Sequence, residues 1–181
     1  MLVGLLVFGS IVGAVIWFAA SYNNLVAAAH RANQAWGNID ALLRQRHDEV
    51  QRLVEICQPN LKYEQATLDR VLEARSEIFG ARQTQDAATI GRAENTLRNA
   101  VRHLFSLAAA QDGLKDDEGL AALQQRLTTL ETGIGERAAL YDDAVRQNNV
   151  AIRNFPGVIV AILGGFRRLQ PFALDTAERG D

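Results

Sequence analysis

The residues with the strongest chemical potential are three histidines, His30, His47 and His103, the lone Cys57, and the acidic pair Asp142-Asp143. A bundle of helices can house a di-iron centre, which needs Glu-x-x-His on two helices and further carboxylates from two more. The residues three before the histidines are Ala27, Arg44 and Ala100, so that motif is absent. A single cysteine forms no intramolecular disulfide, and no Cys/His spacing of a metal site exists. There is no phosphate-cradling P-loop, no GxSxG nucleophile elbow and no HExxH. Asp142-Asp143 reads as a solvated face, because a hard cation needs more oxygen ligands than these two supply. His47 falls on an apolar helical stripe and reads as a hydrogen-bonded core residue rather than a ligand. Trp36 and Tyr141 read as core anchors. No catalytic, cofactor-binding or metal-ligating residue is assigned, and the chain is not expected to be an enzyme.

Composition agrees. With 181 residues the chain suits one domain plus an anchor. Aromatics make up only 7% and there are three prolines, which favours helix over a sandwich or barrel. Nineteen basic against twenty-one acidic residues give a net charge of −2, which excludes a general nucleic-acid binder.

The segment 1–20, MLVGLLVFGSIVGAVIWFAA, carries no charge, and Ser10 is its only polar side chain. At about 1.5 Å per residue it covers the roughly 30 Å hydrocarbon core of a bilayer. Trp17, Phe18 and Tyr22 gather at its far end, where aromatic rings prefer the headgroup region. A cleaved signal peptide is the competing reading. No Lys or Arg precedes the apolar run, the run is long for a signal, and a cut after Ala20 would place Phe18 at −3. The segment is therefore expected to be an uncleaved transmembrane helix in contact with the lipid bilayer. Arg31, Arg44 and Arg46 follow it, which predicts an outer N-terminus and a cytoplasmic remainder.

Residues 21–155 are expected to form an antiparallel four-helix bundle, all-α, with the anchor running straight into its first helix. Tyr22, Leu25, Ala29, Trp36, Ile39, Leu43, Val50, Leu53 and Cys57 recur in steps of three and four. Pro59 ends this helix and Asn60 caps a second, which stops near Gly80. GARQTQD makes a loop, and Asp86 caps a third helix that Gly113 closes; Asp116 opens the fourth. Leu120, Leu123, Leu127, Leu130, Ile134, Tyr141, Val145, Ile152 and Phe155 form the seam of the fourth helix. Gly133 and Gly135 interrupt it and would allow a close crossing or a bend.

Helices one and four each extend about 55 Å beyond the bilayer, against roughly 30–40 Å for the middle pair. Two helices alone would then line the membrane-proximal stalk. Leu25, Val26 and Ala29 on one, with Val145 and Ile152 on the other, would lack cover within the chain, which predicts a homo-oligomer. Residues 156–181 form the third region. PGVIVAILGGF, with Val158, Ile159, Ile162, Leu163 and Phe166, is too short to span a bilayer. It either packs on the bundle or, as the topology favours, lies in the interface with Arg167 and Arg168 reaching lipid phosphates. The closing DTAERGD is expected to be disordered.

With these elements placed, the chain resembles the LemA family of bacterial membrane proteins. The opening YNNLVAAAHRANQAWGNIDALLRQRHDEVQRLVE is similar to that family's, with its Tyr-Asn pair and Asn-x-x-Trp-x-x-Ile-Asp core. LEARSE, ENTLRNAVRHL, LKDDEGLAALQQRL, ETGIGERAALYDDAV and NFPGVIVAILGGF occur in the family's order. His47 stands where the family usually has Tyr, Asp142 where Asn usually follows Tyr141, and Asn148 where a second Tyr is common. The resemblance implies an inner-membrane helix with an outward N-terminus, a cytoplasmic bundle of four long helices and no established catalysis. One branch of the family is associated with building magnetosome membranes. Two roles fit such a chain: a self-associating scaffold that shapes the membrane or recruits partners, and an accessory subunit of a membrane enzyme such as a protease or phosphatase.

Overall fold

The apolar anchor and the first amphipathic stripe form one helix, α1 (Leu2–Cys57), in the computed structural model, which describes residues 2–59, 65–83, 86–111, 113–114 and 116–174. No proline interrupts it. Ser10 and Ser21 return their hydroxyls to the carbonyls of Leu6 and Trp17, at 2.8 and 2.9 Å. This satisfies each hydroxyl locally and lets Ser10 sit within an apolar span. α1 is the one helix among the described residues long and apolar enough to cross a membrane, and its apolar window is unburied by the rest of the chain.

The remaining helices are α2 (Gln65–Gln83), α3 (Ala87–Ala110), α4 (Glu118–Arg153) and a short α5 (Gly157–Gly164). The expected Asn60 cap and the tail 175–181 lie outside the described residues. Four helix ends differ from expectation. α2 passes Gly80 and continues to Gln83, because Ala81 is buried while Gly80 faces open space. One exposed glycine costs about 1 kcal/mol against alanine, less than the packing of the extra turn restores. α3 stops at Ala110, with Gln111 as its cap, rather than at Gly113, since Leu114 must turn inward and is 1% exposed. The cap of α4 is Asp117, not Asp116: its carboxylate accepts from the Leu120 N–H at 2.8 Å. α4 ends at Arg153, so Phe155, expected at the foot of its seam, lies beyond the helix and is 73% exposed. Asp86 caps α3 as expected, accepting from Thr89 N–H at 3.0 Å.

α1 pairs with α4 and α2 with α3. Three apolar clusters stack along this frame. The distal one joins all four long helices through residues such as Leu53, Ile78, Leu104 and Leu123. The middle one holds Ile39, Leu43, Ile90, Ile134, Tyr141 and Val145. Trp36 packs against its edge, half-buried, between the rings of Tyr141 and Phe172 at 5.5 and 5.7 Å. The third, nearest the anchor, is Leu25, Ile152, Val160 and Ala161. Gly133 sits one van der Waals contact from Leu42, and Gly135 meets nothing, so neither marks a tight crossing.

Beyond α5 the chain does something that no periodicity announces. Residues 166–174 run without regular structure back along the bundle, placing Leu169, Phe172 and Leu174 on the middle cluster. Such a strap needs side chains to satisfy its backbone. Asn149 does so twice, accepting from Leu169 N–H at 3.0 Å and donating to Leu169 C=O at 2.9 Å. Tyr141 donates to the Gln170 carbonyl, Asn95 to that of Ala173, and Asp142 accepts from Phe172 N–H. Asp142 is thus a clamp rather than a solvated face. Gly91 makes room for the strap: a Cβ there would lie 2.8 Å from the Ala173 nitrogen. Gly91→Val is expected to lift the strap while the helices persist. Limited proteolysis should then cut between 166 and 174 at least tenfold faster; unchanged protection would show that the strap accommodates the side chain.

Candidate functional site

The end of the bundle next to the anchor is where apolar surface, aromatic rings and cationic side chains meet. The chain turns sharply after Asn154, whose N–H caps α4 on the Val150 carbonyl at 3.0 Å. Gly157 permits the turn, because a Cβ would collide with the Ala151 carbonyl. α5 then folds back between α1 and α4.

This placement joins the short helix to the anchor. Phe155 lies 5.4 Å from Trp17 and Phe166 lies 5.6 Å from Tyr22, centroid to centroid. Both distances are those of attractive tilted or edge-on ring pairs. One side of α5 is spent on the bundle, with Val160 and Ala161 buried. Its other side is bare: Ile159, Ile162 and Leu163 are 46%, 77% and 71% exposed. Arg167 and Arg168 come next, both exposed.

The residues expected to lie at a membrane or subunit contact divide into two sets. Leu25 and Ile152 are covered by α5, and Val145 belongs to the middle cluster. The stalk is therefore not two bare helices: the short third helix supplies the cover that was expected from another copy. Val26, Ile159, Ile162, Leu163, Arg167 and Arg168 are exposed, while Ala29, Val158 and Phe166 are partly buried.

A second constellation lies in the bundle's interior. Glu94 of α3 is wholly buried and pairs with the Arg46 guanidinium of α1, which also donates to the Glu94 carbonyl at 3.3 Å. His47 Nε2 lies 3.1 Å from the other carboxylate oxygen, and its ring stands edge-on to Phe79. Burial, reinforced by Arg82, Arg46 and Arg75, pushes the imidazole down to about 4. The ring is thus neutral and donates to Glu94, whose charge Arg46 already balances. Burial also lowers the Arg46 guanidinium to about 10, still charged at neutral pH. Almost wholly buried, this triad locks α1 to α3. Burial raises the Cys57 thiol to about 11, which leaves it protonated and unreactive. Among the described residues no group of three His, Cys, Asp or Glu side chains is placed to hold a metal ion.

The model of the LemA family matches residues 35–181. No curated protein matches the chain.

Proposed function

The chain belongs to the LemA family, and from that premise we propose that it is a non-enzymatic, membrane-anchored helical scaffold. It self-associates at the bacterial inner membrane and shapes it or recruits partners there. Its N-terminus lies outside and its bundle in the cytoplasm, in keeping with the basic residues that follow the anchor. The family is not a known enzyme family.

The observation that carries the reading is the bare outer face of α5, held beside the anchor by the Trp17–Phe155 and Tyr22–Phe166 pairs. Contiguous apolar surface of this kind marks a contact with lipid or protein. Covering one Ile or Leu side chain contributes about 1.5–3 kcal/mol, and a shared membrane concentrates the copies. The full-length protein in mild detergent is expected to form one defined oligomer. Ile162→Asp with Leu163→Asp should shift it to monomers at an unchanged bundle melting temperature, since neither side chain enters the core. A parent protein that is monomeric at every concentration would refute the scaffold. Monomers that co-purify with a membrane protease or phosphatase would favour the accessory subunit instead.

A further inference from the structure

On one side of the α1–α4 pair a groove opens at the height of the anchor's end. It encloses about 390 Å³. Its walls alternate amide and hydroxyl groups (Ser21, Asn24, Asn154) with apolar ones (Leu25, Val150, Phe155), and Gln147 and Arg31 stand at its upper rim. Among the described residues Arg31 is the only charged one in the lining. It is exposed, and it has no ion-pair partner among them.

The same groove continues upward past Arg31 into a space of about 210 Å³, where Arg137 joins Arg31 and again no acid lines the wall. Further from the membrane its charges balance. The next space, of about 490 Å³, is lined by Asp48 and Glu49, with Glu49 engaging both Arg52 and Arg126 at 3.0 and 3.2 Å. Unneutralised positive charge is thus confined to the membrane-proximal stretch.

Resting on the membrane-anchored reading of the chain, we infer that this stretch of groove binds the phosphate of an anionic phospholipid, with Arg31 as its cationic ligand. Arg31 lies eleven residues past Ala20, about 16 Å along the helix, and side chains of a helix lean toward its N-terminus, here toward the bilayer. The guanidinium therefore leans back toward the outer edge of the headgroup layer, where it offers a bidentate fork to the phosphate oxygens of a lipid drawn up into the groove. Asn24 and Asn154 supply amides below it. The acyl chains leave past Phe155 and Trp17 along the anchor's apolar surface. The negative end of α4 does not repel the headgroup strongly, because its Val150 carbonyl is capped by Asn154 N–H, and the Asn154 carbonyl by Val158 N–H.

The test uses full-length protein in nanodiscs of equal phosphatidylcholine and phosphatidylglycerol, with retained lipids counted by native mass spectrometry. The parent should retain phosphatidylglycerol about fivefold over phosphatidylcholine, the effect of one basic side chain at a membrane surface. Arg31→Gln should erase that preference, while Arg44→Gln, farther along α1 and outside the groove lining, should keep it. Equal retention by the parent, or an unchanged preference in Arg31→Gln, overturns the assignment. Displacement of the lipid by millimolar inorganic phosphate would make the ligand a free anion and overturns the lipid reading too. Protein that alkaline carbonate strips from the discs refutes the membrane anchor and this site with it; inserted but unselective protein refutes the site alone.

Discussion

Glu94→Ala is expected to destabilise the bundle by about 3–5 kcal/mol in urea melts, among the largest effects of any single change outside the anchor. The carboxylate is wholly buried and faces Arg46 on one oxygen and His47 on the other. Its removal leaves a guanidinium, itself 3% exposed, without its contacting carboxylate and with only the more distant charge of Glu131 to offset it. The cost is that of the stranded charge and not the worth of the pair. Replacing both partners with apolar side chains, Arg46→Met with Glu94→Leu, should accordingly restore most of the loss. A Glu94→Ala protein that melts within about 1 kcal/mol of the parent would mean that water reaches Arg46.

Acid is expected to weaken the bundle through His47. Its pKa is lowered on folding, from about 6.5 to about 4. The unfolded chain therefore takes up the proton first as pH falls. The stability contributed by the neutral ring is complete above pH 6.5 and is lost progressively between pH 6.5 and 4, by about 3 kcal/mol in all. Other carboxylates titrate in the same window, so the informative quantity is a difference. His47→Gln keeps a donor toward Glu94 and removes the titration. Between about pH 7 and pH 4.5 the parent should lose about 2–3 kcal/mol more than this variant. Equal losses would show that the ring titrates in the folded protein as it does in the unfolded chain.

Most of the helical frame is legible in the sequence because apolar periodicity is a local signal that survives packing. The stripe from Tyr22 to Cys57 carries straight into one helix, and the seam from Leu120 to Ile152 into another. Part of the buried triad is visible too. Glu94 stands four residues after Ile90 and three before Leu97, a carboxylate in the middle of an apolar stripe. Such a residue demands a cationic partner on a facing stripe. Nothing local says that the partner is Arg46, forty-eight residues away. The membrane-proximal end is harder to read. An apolar run bounded by Pro156 and two arginines fits a lipid surface and a packed helix equally well. The folded chain has both faces, with Val160 inward and Ile162 outward. The strap has no periodicity to betray it. Its fastening depends on Asn149, Asn95 and Asp142, whose side chains look like ordinary solvated helix surface until the returning chain is laid over them.

The unbroken course of α1 has a mechanical consequence. The helix is about 84 Å long, and with residues 1–20 spanning a bilayer, as proposed, its last 55 Å or so would stand clear of it. With no proline or loop at the membrane surface there is no universal joint. Any change in the inclination of the embedded third is passed on undiminished to the rest. A change of tilt of about ten degrees, well within what a modest difference in bilayer thickness brings about, swings the far tip by about 10 Å. On the membrane-anchored reading proposed above, the chain would be a stiff lever, and a change in the angle of residues 1–20 would appear enlarged at the distal end, where Cys57 and Leu114 close the core.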